Sequence, residues 1–108
     1  MIQVMKRNGK LMPFDKDKII KAINAAIIEV DGELTDKFTA KDIADNIERY
    51  YLATNAIALI EDIQDTIEYE LMSSGRKDVA RSYIRYRYKK EVAREKRDDF
   101  INAIRKKL

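Results

Sequence analysis

The sequence predicts an α+β fold that is mostly helical, in which a four-helix bundle is capped by a small β-hairpin or three-stranded sheet. Several segments carry apolar residues at three- and four-residue spacing, as one buried helical face requires. Near the start, an Asn8-Gly9 dipeptide separates two short apolar segments, which is typical of a hairpin. The 108 residues, 45% hydrophobic and 38% charged, suit a single domain with a sizeable core.

The hairpin comes first. Ile2–Met5 alternates weakly with period two, and the Asn8-Gly9 dipeptide tolerates positive φ at both centres of a tight turn. Leu11–Met12 is the expected returning strand. Pro13, the only proline of the sequence, suits the end of that strand because it lacks a backbone donor.

The first helix is expected near Lys16–Val30. Asp15 suits its N-cap, since an aspartate side chain accepts hydrogen bonds from free N–H groups of the first turn. The Asp31-Gly32-Glu33 segment then breaks the helical pattern. The apolar positions that define the buried face are Ile19, Ile23, Ala26, Ile27 and Val30.

The second helix is expected to begin at Thr39, where a Thr-x-x-Asp pattern is a start signal. Its apolar positions are Ile43, Ile47, Tyr50 and Tyr51. Leu52–Ala56 is interpreted as a connection. The apolar run Ile57–Ile60 is too short to assign by periodicity and is a candidate third strand.

The third helix is expected to begin near Glu61 and to end at the Ser73-Ser74-Gly75 stop signal. A fourth begins at about Lys77, crosses the charged stretch Lys89–Asp99, and resumes apolar spacing beyond it. The pattern leaves open whether this last segment is one long helix or two. Its apolar positions are Val79, Ala80, Tyr83, Ile84, Tyr86, Phe100, Ile101, Ile104 and Leu108.

Charge is distributed unevenly along the chain, although the net charge is only +3. Residues 1–30 hold 6 basic and 3 acidic groups, residues 31–70 hold 3 and 11, and residues 71–108 hold 13 and 5. The two basic segments are therefore able to converge on one anion. The absence of Cys and His disfavours catalysis and protein metal ligation. No membrane span or signal peptide is found, so a cytoplasmic location is expected.

Two groups of residues are candidates for anion or base binding. Lys6, Arg7 and Lys18 would meet a polyphosphate between the first strand and the positive N-terminus of the first helix. The alternative is that these basic side chains are simply solvated. The segment Arg81–Lys90 interleaves tyrosines with basic residues, which suits stacking on a base or on single-stranded nucleic acid. The alternative there is that Tyr83 and Tyr86 belong to the core.

A third group lies on the third helix. Gln64 sits between the apolar rows of this helix, close enough to the core face to make a directed amide contact with a base or a sugar. The acidic residues Asp62, Asp65 and Glu68 lack the spacing of a calcium loop and are interpreted as a solvated face.

Taken in order, four motifs resemble the ATP-cone, a regulatory nucleotide-binding module of ribonucleotide reductases. The resemblance covers about residues 2–90 and is most like the anaerobic, class III ribonucleoside-triphosphate reductases. The motifs are Val4-x-Lys6-Arg7-Asn8-Gly9, Pro13-Phe14-Asp15-x-x-Lys18-Ile19, Ile60-Glu61-Asp62-Ile63-Gln64-Asp65 and Asp78-Val79-Ala80-x-x-Tyr83-Ile84-x-Tyr86-Arg87.

The resemblance implies a site for ATP or dATP, with Mg²⁺ on the phosphates, between the cap and the helical bundle. Residues 1–90 would form this ATP-cone domain, and residues 91–108 a C-terminal helix or a linker toward a catalytic domain. Many relatives carry acidic residues in place of Asn8 and Met12, so a carboxylate contact to the sugar or base is not expected there. The nucleotide-binding residues implied are Val4, Lys6, Arg7, Met12, Phe14, Asp15, Lys18, Ile19, Ile60, Gln64, Tyr86 and Lys89.

The leading hypothesis is a noncatalytic ATP/dATP-binding domain that regulates a ribonucleotide reductase through subunit association. Its partners would be adenine nucleotides and the reductase catalytic domain, with homo-oligomerisation left open. Two alternatives belong to other classes: a helical module for single-stranded nucleic acid, which the acidic middle segment disfavours, and a structural protein-interaction domain.

Overall fold

The structure is a computed structural model that describes residues 2–107, so the apolar position Leu108 lies outside the described residues. Within this range the fold is mostly helical with a small sheet, as predicted. The elements in chain order are β1 (Gln3–Met5), β2 (Leu11–Pro13), α1 (Lys16–Asp31), α2 (Thr39–Thr54), β3 (Ala58–Leu59), α3 (Ile60–Ser73) and α4 (Lys77–Lys107).

The sheet has three strands in the order β2-β1-β3. β1 and β2 form the predicted hairpin, with Val4 opposite Met12, and β3 pairs in parallel with β1, with Val4 opposite Ala58. This parallel pairing makes the candidate strand after α2 part of the cap. The side chains of Val4 and Ala58 are buried against the helices, so one face of the sheet closes the end of the bundle.

The hairpin turn differs from the expected two-residue form. Lys6 N–H donates to Lys10 O and Gly9 N–H donates to Lys6 O, both at 2.9 Å, which closes a three-residue loop. The expectation of positive φ at both Asn8 and Gly9 is therefore wrong, because Gly9 alone of the two adopts it, at 82°. Instead, Asn8 Oδ1 accepts from Lys10 N–H at 3.1 Å and holds the loop closed.

α1 is capped as the sequence predicts. Asp15 Oδ1 accepts from Asp17 N–H at 3.1 Å and from Lys18 N–H at 3.4 Å, and the helix ends where Gly32 takes a left-handed φ of 80°. These contacts also fix the position of the Lys18 side chain, which lies within the first turn of the helix, close to its positive N-terminus.

α2 begins at Thr39 as expected, but its N-terminal capping and its end differ from the expectation. Thr39 is its first residue, but Asp36 accepts the hydrogen bonds at the start, from Phe38 N–H at 2.9 Å and Thr39 N–H at 3.1 Å. The helix continues to Thr54 and ends at Asn55, which has a φ of 53°. Leu52–Ala56 is therefore mostly helical rather than a connection, because the left-handed conformation occurs at Asn55.

The core forms where one face of each helix meets the inner face of the sheet. Arg76, immediately before α4, contacts Asp31 at the end of α1 (Nη2 to Oδ1, 2.8 Å), and Ser82 Oγ on α4 donates to Glu29 Oε2 at 2.8 Å. α1 and α4 therefore run antiparallel, and the start of α1 lies beside the middle of α4. The fully buried helical side chains include Ile23, Ile27, Leu71 and Val79.

α4 is one continuous helix, which decides between the two alternatives that the sequence left open. It passes through residue 90 without interruption, so the predicted domain boundary falls inside a helix and stays a prediction. Residues 93–105 are exposed along their length, including Phe100, Ile101 and Ile104. Among residues 2–107, no helix has both the length and the apolar character needed to cross a membrane.

Candidate functional site

A cavity of about 510 Å³ lies between the sheet, the start of α1, α3 and the middle of α4. Its volume is within the roughly 300–1,000 Å³ typical of small-molecule sites. Eleven of the twelve residues predicted to bind a nucleotide line it: Val4, Lys6, Arg7, Met12, Phe14, Asp15, Lys18, Ile19, Ile60, Gln64 and Tyr86.

Lys89 is the predicted site residue that does not line the cavity. Its neighbour Lys90 does, and Lys90 Nζ lies 4.9 Å from the centroid of the Tyr86 ring. Successive residues on an α-helix point about 100° apart, so one position decides whether a side chain faces the cavity. The spacing of Tyr86 and Lys90, four residues apart, was a usable signal for choosing Lys90.

One part of the cavity lining is apolar. α3 contributes Ile60, Ile63 and Ile67, three- and four-residue neighbours on one helical face, and Gln64 lies among them. Within the described part of the chain, Gln64 Oε1 is buried without a hydrogen-bond partner. Because burying an acceptor without a partner costs free energy, this oxygen is poised to accept a hydrogen bond from a ligand.

Tyr83 contributes to the apolar lining from α4. The residue is only 4% exposed, and burial raises the pKa of its hydroxyl to about 12. Tyr83 is therefore a core residue, as one of the two sequence interpretations held, and its ring is not available for stacking on an exposed nucleic-acid strand. Tyr86, three residues later, is 38% exposed and lies at the cavity.

The lining also contains basic side chains from the hairpin, α1 and α4. Lys6 and Arg7 come from the hairpin, and Lys18 comes from the first turn of α1. Four further basic residues that line the cavity were not among the predicted site residues, namely Lys21, Arg87, Lys90 and Arg94. Each follows a lining residue at helical spacing: Lys21 three positions after Lys18, Arg87 four after Tyr83, Lys90 four after Tyr86, and Arg94 four after Lys90.

The start of α1 adds its own positive potential to this basic region. The first N–H groups of a helix and its dipole favour anions, and Asp15, which occupies this position, also lines the cavity. Its Oδ1 already accepts from two backbone N–H groups. The carboxylate of Asp15 therefore serves as a helix cap.

Two arginines at the cavity contact carboxylates. Arg87 Nη1 binds Glu68 Oε1 at 2.6 Å and Asp65 Oδ1 at 3.1 Å, which ties α4 to α3. Arg7 Nε lies 3.2 Å from Glu61 Oε1, and Arg7 Nη1 contacts Glu91 Oε1. Glu91 lines the cavity and was not predicted as a site residue, because nothing local in the sequence relates it to the hairpin.

The carboxylates do not form a protein metal centre in the described residues. No group of three or more His, Cys, Asp or Glu side chains within that range is arranged to hold a metal ion. A cation at this site would therefore take most of its ligands from a bound anion and from water, as Mg²⁺ does with nucleotide phosphates.

The fold and the cavity define a helical bundle with a sheet cap and a partly open site whose lining combines apolar and basic side chains. Comparison with known proteins identifies the family, since residues 2–92 match the model of the ATP cone domain. The chain belongs to this family, which confirms the resemblance seen in the sequence motifs.

Several ribonucleotide reductases are similar to this chain over most of its length. A vitamin B12-dependent ribonucleoside-diphosphate reductase of Thermoplasma acidophilum is 38% identical over 102 residues, which cover 89% of this chain and 13% of that protein. The anaerobic ribonucleoside-triphosphate reductase of Haemophilus influenzae is 33% identical over 102 residues, 94% of this chain and 14% of that protein.

A third relative, the ribonucleoside-diphosphate reductase subunit alpha of Chlamydia pneumoniae, is 31% identical over an alignment 113 residues long, gaps included, which takes in 95% of this chain and 11% of that protein. The chain thus spans between 11% and 14% of the length of these three relatives. Because they include both diphosphate and triphosphate reductases, the similarity does not select one reductase class.

Proposed function

We propose that this chain is a noncatalytic, allosteric domain that binds ATP and dATP and regulates a ribonucleotide reductase. The observation that carries the proposal is the division of the cavity into an apolar part around an unpartnered amide oxygen and a basic part at a helix N-terminus. An adenine nucleotide has the matching division, with an aromatic base at one end and a triphosphate at the other.

The apolar part suits adenine. Ile60 and Ile63 offer surfaces for the faces of the base. Gln64 Oε1 offers a buried acceptor that has no hydrogen-bond partner among the described residues. The 6-amino group of adenine donates a hydrogen bond, whereas guanine carries a carbonyl oxygen at that position. A site that leaves a buried polar group unpaired with the wrong ligand discriminates strongly, so adenine nucleotides are preferred over GTP.

The basic part suits the triphosphate. Arg7 supplies a forked guanidinium, Lys6 and Lys18 supply compact ammonium groups, and the start of α1 supplies its dipole. Mg²⁺ would bind to the phosphate oxygens and complete its shell with water. Lys89, on the exposed side of α4, is proposed as a contact at the rim of the site.

Regulation requires that ATP and dATP favour different states of the whole protein, because a ligand with equal affinity for both states shifts nothing. We propose that the partner of this domain is the catalytic domain of a reductase and that nucleotide binding changes how the subunits associate. A homo-oligomer is one form that this association would take. Resemblance of the Tyr83–Arg87 and Ile63–Asp65 segments to the anaerobic enzymes favours a ribonucleoside-triphosphate reductase.

Calorimetric titration of the 108-residue chain with ATP, dATP and GTP, each with Mg²⁺, tests the proposal. We expect binding of both adenine nucleotides and about five-fold or more weaker binding of GTP, which leaves Gln64 Oε1 buried without a partner at a cost of about 1–3 kcal/mol. Lys18→Gln should weaken ATP binding about ten-fold by removing a charge-assisted contact. Lys37→Gln, an exposed site away from the cavity, is the matched control. Failure of both adenine nucleotides to bind at millimolar concentration would refute the proposal.

A further inference from the structure

Arg7 is held by two carboxylates from different helices. It lies in the hairpin loop, and its guanidinium contacts Glu61 in the first turn of α3 and Glu91 in the middle of α4. The side chains of Arg7 and Glu91 are about one-third exposed, at 32% and 30%, whereas that of Glu61 is 58% exposed. This cluster joins the cap of the fold to both helices that line the cavity.

Glu91 differs from the other carboxylates near the site. Asp15 and Glu91 are the acidic residues that line the cavity in the described part of the chain, and Asp15 is occupied as the cap of α1. Glu61 contacts Arg7 from outside the lining. Glu91 thus places a negative charge at the cavity. It contacts Arg7, a basic residue that is expected to bind the ligand.

A phosphate and Glu91 would compete for the same guanidinium. Carboxylates and phosphates both bind an arginine fork through paired N–H donors, so each occupies the donors that the other needs. Two anions on one side of a guanidinium also repel each other, and this repulsion is stronger in a partly enclosed cavity than in water. Paired binding of a phosphate at the two terminal nitrogens of Arg7 therefore requires that Glu91 release Nη1.

We propose that Glu91 is an intramolecular competitor that occupies Arg7 in the free protein and is displaced by the phosphates of the bound nucleotide. This inference rests on the proposed function for the identity of the ligand. Its consequence is a change in how the elements are tied together, since displacement breaks the contact between the hairpin and α4 while the contact of Arg7 with Glu61 on α3 can persist. α4 continues from Glu91 to Lys107, so the change falls on the helix that extends beyond the bundle.

The inference predicts that removing the competing charge tightens binding. A partly exposed ion pair of this kind is weak, and the relief of repulsion adds to it, so we expect Glu91→Gln to lower the Kd for ATP by about three- to ten-fold. Glu95→Gln removes the same charge one turn further along α4, at an exposed position outside the lining, and is the matched control. Its effect on the Kd should stay below two-fold.

The experiment is a calorimetric titration of the full chain and these variants with ATP and, separately, with inorganic tripolyphosphate, which carries the phosphates without the base. Both ligands should bind more tightly to the Glu91→Gln variant. In an Arg7→Gln background, the gain from Glu91→Gln should largely disappear, because the competitor acts through Arg7. Circular dichroism at 222 nm verifies that each variant keeps its helical structure.

Equal ATP affinity of Glu91→Gln and wild type would overturn the inference, and so would an equal gain in the Arg7→Gln background or from Glu95→Gln. Absence of binding by both ATP and tripolyphosphate to wild type and Glu91→Gln would also overturn it. Binding of tripolyphosphate alone, tightened by Glu91→Gln, would support the competitor while refuting the proposed adenine-nucleotide function. The two proposals can therefore fail separately.

Discussion

Replacing Gln64 by leucine should change stability and ligand binding in opposite directions. Among the residues described, Gln64 Oε1 and Asn24 Oδ1 are the two buried side-chain atoms without a hydrogen-bond partner, and only Gln64 lines the cavity. Leucine is similar in size to glutamine and has nearly the same helix propensity, so the substitution chiefly removes the buried polar group. The unliganded protein loses an unpaired acceptor, whereas the complex loses a hydrogen bond.

The expected magnitudes follow from these two roles. An unsatisfied buried acceptor costs about 1–3 kcal/mol, so Gln64→Leu should raise the free energy of unfolding by about 1 kcal/mol or more. For a domain of this size, that corresponds to an increase in Tm of about 4 °C. Loss of one hydrogen bond to adenine, at about 0.5–1.5 kcal/mol, should weaken ATP binding by about two- to thirteen-fold.

Thermal unfolding followed by circular dichroism measures the first effect, and calorimetric titration with ATP measures the second. Asn24→Leu is the control, since it removes the other unpartnered amide, which lies on α1 outside the cavity lining. It should raise Tm without changing ATP affinity. A lower Tm for Gln64→Leu, or unchanged ATP binding in a protein that binds ATP, would refute the assignment of Gln64 as a buried acceptor for the ligand.

Two further predictions concern pH. Burial raises the pKa of Tyr83 to about 12, so the stability that its neutral form contributes is complete below pH 10 and is lost as the pH rises toward 12. Urea unfolding at pH 8 and pH 11 should show a loss of about 1.4 kcal/mol that is absent in Tyr83→Phe, and an equal loss in that variant would contradict the reasoning. At the acid end, hydrogen bonds from Thr35 and then Arg76 lower the pKa of Asp31. Its contribution is present above pH 3.8 and is lost as the pH falls below that value. Asp31→Asn should therefore lower Tm at pH 7 and have little effect near pH 2, and a Tm difference between variant and wild type that does not depend on pH would rule this out.

Local patterns in the sequence were sufficient for most of the fold. The cap at Asp15, the stop at Gly32, the end of α3 near Ser73 and the apolar stripes of the helices were all predicted, because each depends on residues within a few positions. The family was also recognisable from four short motifs, which the match over residues 2–92 confirms. Short motifs identify cavity-lining residues well when those residues are adjacent in sequence, as Lys6 and Arg7 are.

Other features were not evident from periodicity and simple start signals. The turn at Asn8 and the capping of α2 by Asp36 depend on local side-chain hydrogen bonds that compete with the simplest pattern, whereas β3 and the length of α4 depend on the rest of the structure. β3 became a strand by pairing in parallel with β1, more than fifty residues earlier, and its own sequence was too short to show this. Whether α4 was one helix or two also needed the whole structure.

By itself, the sequence determined the four helices, the hairpin, the family and the two chemical characters of the site, because periodicity and short motifs carry these. Only the tertiary structure decided which side chains of α4 face the cavity, with Lys90 on the lining and Lys89 off it. It also brought Glu91 to Arg7 across 84 positions of sequence. The physical reason is that the rotation and register of packed helices are set by how their buried faces fit together, and a change of one residue turns a side chain by about 100°.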